Sequence, residues 1–240
     1  MKPTLSVITS VLNPGVEEIK KTMFSILPIP DDVEWVYIDG GSNDDSLNEV
    51  IRYVEVEIHP ETTLYGGFNW GWRHAKGDYV YYLNAGDIIL SGGLLGELAT
   101  IIRNHENPSD VYYFDAKVNE TTLFPMAPDL KTIFYKMPFS HQGCVVKRDV
   151  IKSIGGFSEY SGPTADHELL VKLFMKGCEF SEISDLCLTQ CAEWKSTEDD
   201  LGRLLNRWRN IRNLFFKNDV WKPKVNQLDK LYKKLLIDIE

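Results

Sequence analysis

The sequence predicts an α/β fold, a mostly parallel sheet flanked by helices, followed by a helical C-terminal tail. Three observations predict it. Up to about residue 90, short β-branched runs alternate with stretches of helical spacing, the pattern of a parallel sheet covered on both faces. Each of the polar clusters Thr9-Ser10 with Asn13, Asp39 to Ser42, and Asn84 to Asp87 follows such a run. This topology gathers them at the carboxyl edge, where open α/β sheets bind ligands. The 240 residues are 43% hydrophobic, enough for a sizeable core, and no apolar run approaches the roughly 20 residues of a spanning helix.

The elements follow in order. Residues 5–11 read as a buried strand bounded by Pro3 and Asn13-Pro14-Gly15, and 16–27 as a helix ended by Pro28. Residues 33–38 form a second strand, stopped by Asp39-Gly40-Gly41-Ser42, with a helix from Asp44 or Asp45 through Ile51. A third strand at 54–58, a short helix at 67–76 ending at Gly77, and a fourth strand at 78–83 complete this half. Beyond residue 90 the pattern loosens. Helices are expected at 93–104 and 165–176, the second capped by Gly177, with a strand at 111–116 and irregular chain at 120–142.

The net charge of −9 is uneven, because residues 203–234 hold ten Lys/Arg against two Asp/Glu. An acidic body argues against nucleic acid as a partner. In the tail, Leu204, Trp208, Ile211 and Phe215 share a helical face edged by Arg203, Arg207, Arg209 and Arg212. Two readings stand for it: peripheral contact with an anionic membrane surface, or packing of that face on the body. Cys144, Cys178, Cys187 and Cys191 form no CxxC pair and read as small buried hydrophobes. The start lacks a signal-peptide pattern, so the cytoplasm is the expected compartment, with the inner face of its membrane as the site of any peripheral contact.

Five segments, in order, resemble one known family: LSVITSVLN, VYIDGGSNDDS, YGGFNWGWRHAKGDYVYYLNAGD, FSHQGCVVKRDVIKSIGGFSE and ADHELLVKLFMKG. Together they are similar to the inverting GT-A-fold (Rossmann-like) glycosyltransferases of family 2, most of all to bacterial polysaccharide-building members. The resemblance implies a transferase domain over 1–200, with a nucleotide-binding half at 1–90 and an acceptor-side half at 91–200. The basic tail is then 201–240. The donor is a nucleotide-sugar, a UDP-sugar by family preference, and the acceptor is saccharide or lipid-linked.

The same resemblance implies roles for residues. Asp39 would accept from a uracil-like base, with Gly40 and Gly41 allowing close approach. Thr9, Ser10 and Asn13 would line the donor, although Asn13 also suits a turn or helix cap. Asn69 would contact the donor from the helix before the fourth strand. The family's D-x-D motif stands here as Asn84-Ala85-Gly86-Asp87. Asn84 would meet the ribose or a water, and Asp87 would ligate Mg²⁺ or Mn²⁺ to neutralise the leaving diphosphate. Asp166 would be the general base, since an inverting transfer needs one carboxylate to take the acceptor proton. His141 and His167 fall on the acceptor side, and Trp70, Trp72 and Trp194 are of a kind that stacks on sugars. Two alternatives stay open: a binding protein that kept the fold and lost the chemistry, and a sugar nucleotidyltransferase. The second lacks a Gly-rich, basic loop after the first strand.

Overall fold

The computed structural model describes residues 2–60, 62–118, 122–124, 129–192 and 200–237. Strand β1 (Leu5–Val11) lies parallel to β2 (Val33–Asp39) on one side and β4 (Tyr79–Tyr82) on the other, and β3 (Val56–Ile58) extends the sheet beyond β2. Among the described residues the sheet has eight strands in the order β3-β2-β1-β4-β7-β6-β8-β5. The second half is mixed: β7 (Cys144–Lys147) enters antiparallel between β4 and β6 (Val111–Lys117), and β8 (Phe180–Gln190) runs parallel to β6. The two-residue β5 (Ile88–Ile89) closes that edge.

The sheet separates two cores. Strand alternation sends Leu5, Val7, Trp35 and Tyr37 to the face covered by α1 (Val16–Ile26) and α4 (Leu94–Asn104). Ile8, Ile38, Val80 and Tyr82 point to the opposite face. There α3 (Leu64–His74) lies close against β1 because it has glycine at the contact: a Cβ at Gly67 would collide with Ser10 Oγ, and one at Gly71 would fall 2.5 Å from Ile8. Helix α6 (Ala165–Lys176) packs beyond it and ends on Gly177 at φ 82°, as the sequence predicts.

The tail forms α7 (Asp200–Phe216) and α8 (Val225–Ile237). Leu204, Ile211 and Phe215 are buried in the same core as Leu169, Leu170 and Leu173 of α6, and Trp208 packs against it. The amphipathic face is therefore spent inside the protein, as the packing reading expected. The Trp208 indole and the Arg212 guanidinium both donate to Asp229 of α8, and Asn210 donates to Ser161 O and Thr164 Oγ1 just before α6. Among the described residues no helix is long and apolar enough to cross a membrane.

Several elements were not legible in advance. Strand β7 and helix α5 (Arg148–Ile154) lie within the FSHQ segment, read for its motif rather than its elements. Strand β8 is buried only toward its end, so it lacks the strict alternation of a two-sided strand.

Candidate active site at the carboxyl edge

Asp39 is the last residue of β2 and is fully buried. Its Oδ1 accepts the N–H groups of Gly41 (2.8 Å) and Ser42 (2.6 Å), which fold the following turn around it. Gly41 sits at φ 92°, a region side chains rarely adopt. Oδ2 is buried and has no hydrogen-bond partner among the described residues. A buried acceptor left unpaired costs free energy that an incoming N–H donor would recover.

Asn13 stands beside this turn. Its Oδ1 accepts from Asn43 N (2.8 Å) and its own N–H donates to Ser42 Oγ (2.8 Å). Asp44 accepts from Gly15 N at 2.7 Å. Together they clamp the β1–α1 loop to the β2–α2 loop, α2 being Ser46–Val50. Thr9 and Ser10 do not reach the site. Thr9 is 0% exposed and its hydroxyl accepts the Trp35 indole N–H (3.0 Å). Ser10 is buried against Gly67. Strand alternation sends the two to opposite faces of the sheet, Thr9 toward Trp35 and Ser10 toward α3. Gly40 lies at the edge, its N–H donating to Val11 O (2.8 Å).

Asp87 departs from the sequence expectation. It is 1% exposed and both its oxygens are engaged: Oδ2 accepts from Asn84 N (3.0 Å) and Gln142 Nε2 (3.0 Å), and Oδ1 from Ala192 N (2.7 Å). It thereby ties the end of β4 to the 3₁₀ turn His141–Gly143 and to the end of β8. Burial pushes its carboxyl above the usual value, and the hydrogen bonds and the nearby His141 pull against that. Among the described residues no group of three or more acidic, His or Cys side chains is placed to hold a metal. With its oxygens turned to protein donors, Asp87 does not fit a divalent ion as it stands. Gln142, which the sequence reading gave no role, is the side chain that satisfies it; its place beside His141 in the FSHQG segment was the only available signal.

Asn69 also moves out of the donor site. It is 2% exposed, donates to Phe157 O (2.9 Å) and Glu159 Oε1 (3.1 Å), and accepts from Phe157 N (2.9 Å) and Trp72 Nε1 (3.0 Å). It latches α3 to the Gly155-Gly156-Phe157 loop with its whole amide. His167 is likewise structural: buried, with Nε2 2.6 Å from Ile133 O. Burial, reinforced by the charge of Arg207, pushes its pKa down to about 4. Trp72 is core, Trp70 stacks on His74 (3.8 Å), and Trp194 lies outside the described residues.

Asp166 opens α6, its side chain 15% exposed. Oδ1 accepts the His167 N–H at 2.7 Å, and Oδ2 lies 3.4 Å from His141 Nδ1. Burial pushes its carboxyl up, but the hydrogen bonds from His141 and the His167 amide outweigh it, so it sits below the usual value. Asn84 Nδ2 is 3.2 Å from His141 Nε2, and Asn84 Oδ1 is buried with no partner among the described residues. A cavity of about 30 Å³, walled by Tyr65, Phe68, Tyr82 and Leu169, opens against Asn84, His141 and Asp166. The structure thus brings Asn84, His141 and Asp166 together. The arrangement offers an ionised carboxylate at a small, mostly apolar pocket, which suits it to accept a proton.

Comparison with known proteins bears on the family and the fold. Residues 6–157 match the model of glycosyl transferase family 2. A PGL/p-HBAD biosynthesis glycosyltransferase of Mycobacterium bovis is 28% identical over 151 residues, 60% of this chain and 59% of that protein, so the chain matches well under two thirds of its length. Among solved structures, S. aureus TarS 1-349 in complex with UDP-GlcNAc superposes with a TM-score of 0.69 at 18% identity, covering 93% of this chain and 70% of that one. Glucosyl-3-phosphoglycerate synthase from Mycobacterium tuberculosis, in complex with Mg²⁺ and UDP, gives 0.62 at 18% identity, covering 89% and 78%. These likenesses show the fold. The family match spans more than half the chain, and on it the protein belongs to glycosyl transferase family 2.

Proposed function

We propose that the protein transfers a sugar from a nucleotide-sugar, with UDP as the nucleotide, to an acceptor hydroxyl in polysaccharide or glycolipid assembly, inverting the anomeric centre. The acceptor is a saccharide or a lipid-linked saccharide. The observation that carries the reading is Asp39, a buried carboxylate at a strand end with one oxygen anchored and the other unpartnered. That oxygen matches the N3–H donor of uracil. Support for UDP comes from the neighbours, one in complex with UDP-GlcNAc and another with UDP.

In the reaction the acceptor hydroxyl attacks the anomeric carbon while its proton passes to Asp166. The new C–O bond forms as the bond to the diphosphate breaks, and the electron pair leaves with the diphosphate. Asp166 is a weak base held ionised, so it is ready at neutral pH. No step is routed through a metal, because Asp87 is engaged by protein donors.

Calorimetric titration tests the reading with UDP, CDP and GDP against wild type and Asp39→Asn. UDP is expected to bind best. The amide keeps the turn but offers N–H groups to the base, so UDP affinity should fall about tenfold or more while CDP, whose N3 is an acceptor, gains relative to it. Nucleotide binding indifferent to Asp39→Asn would overturn the base-recognition role. The use of both Asp87 oxygens by protein donors favours one second reading, a nucleotide-sugar-binding protein without turnover. Binding of UDP with no release of UDP from any UDP-sugar would favour it.

A further inference from the structure

We propose that His141 is a positioning residue for the base: its Nδ1 holds the outer oxygen of Asp166, and Asn84 fixes the imidazole from its far side. The inference rests on the reading of Asp166 as the base and goes beyond it, because it gives the NAGD segment a function in the proton-transfer half of the site.

The two oxygens of Asp166 are held differently. Oδ1 is fixed by a backbone N–H at 2.7 Å, at the start of α6. Among the described residues Oδ2 has the His141 ring as its partner, at 3.4 Å, and Asp166 lines the small cavity. The direction of its free lone pair therefore depends on where the imidazole stands. The ring is itself constrained. His141 sits in a 3₁₀ turn whose cap, Ser140, accepts the Gln142 N–H, and the Gln142 amide is bound to Asp87. Asn84 Nδ2 lies 3.2 Å from Nε2. An amide N–H donating to Nε2 makes that nitrogen the acceptor and leaves the ring proton on Nδ1, pointing at Asp166. With Nε2 covered and Nδ1 carrying a proton, His141 is not itself the base.

The chain Asn84–His141–Asp166 thus links the end of β4, on the donor side, to the start of α6, on the acceptor side. Apo contacts of this kind tighten when substrate closes the site. The Asn84 side chain, expected from the sequence to face the ribose, is used here across the site.

Replacing the ring by amides that mimic one nitrogen at a time tests the proposal. Asparagine places an N–H near the Nδ1 position, and glutamine near Nε2. UDP release from UDP-glucose and from UDP-N-acetylglucosamine, with water as acceptor, would be followed for wild type, Asp166→Asn, His141→Asn, His141→Gln and Asn84→Ala, alongside thermal melts. Asp166→Asn should lower kcat about a hundredfold or more. His141→Gln should lower kcat about tenfold with little change in KM, and His141→Asn should recover most of it. Asn84→Ala, which frees the ring without removing it, should fall between wild type and His141→Gln and serves if a His141 variant fails to fold. Equal kcat for the Asn and Gln variants, or a better Gln variant, overturns the positioning role while the loss in Asp166→Asn leaves the base in place. An Asn84→Ala kcat equal to wild type overturns the far-side anchor. No UDP release by wild type from either sugar overturns the functional reading, and this role with it.

Discussion

Asp39 and Asp87 close neighbouring parts of one sheet edge, and both are almost wholly buried, yet they do opposite things. Asp39 binds two amides of its own turn through one oxygen and keeps the other unpaired. Asp87 accepts from three donors, two of them on distant segments, and has neither oxygen unpartnered. A strand-end carboxylate is therefore a ligand site or a structural tie according to how many of its lone pairs the protein itself has claimed.

The comparison breaks most directly on stability. Asp87→Ala removes the partner of three buried N–H groups and should cost roughly 3 kcal/mol, an observed drop of about 6–12 °C in Tm by calorimetry. A drop within a degree or two would mean Asp87 is not the tie described, and its oxygens would again be open to a metal.

A pH experiment sharpens the same distinction for a buried group already spent on structure. His167 has its pKa lowered to about 4 from the ordinary 6.5, so the folded state resists its protonation. Its contribution is present above about pH 6.5 and is lost as pH falls toward 4, about 3 kcal/mol in all. Urea midpoints at pH 7 and pH 4.5 should converge in His167→Gln relative to wild type. An unchanged gap between the two proteins would show that His167 does not set the acid limb.

Asp39→Asn should behave as the reverse of Asp87→Ala. Its Tm should stay within about 2 °C, because the anchored oxygen is kept, while UDP affinity falls by the equivalent of about 1.5–3 kcal/mol. A large loss of stability with unchanged affinity would invert the assignment of the two aspartates. The smallest effect is expected from the tail. Asn210→Ala removes the two bonds that steady Ser161 and Thr164 ahead of Asp166, and should cost about 1 kcal/mol in urea unfolding.

The first half of the sheet was legible in the sequence because short-range patterns encode it. β1, β2 and β4 are short apolar runs that end at turn residues, and α6 shows helical spacing up to its glycine cap. Asp166 at the start of that helix was legible for the same reason. The mixed half was harder to read: β5 has two residues, and none of the first six residues of β8 is fully buried. Neither leaves a periodic signal.

The sequence by itself determined that Asp39 would close one strand and the Asn84 to Asp87 turn another, and which face of the tail helix would be apolar. Only the tertiary structure decided what each of them does there. Gln142 is 55 residues from Asp87 and Ala192 is 105, Phe157 is 88 from Asn69, and Ile133 is 34 from His167. Such partners cannot be read from local pattern, because the hydrogen-bonding capacity of a buried polar group is satisfied through space, by whatever the fold brings within about 3 Å.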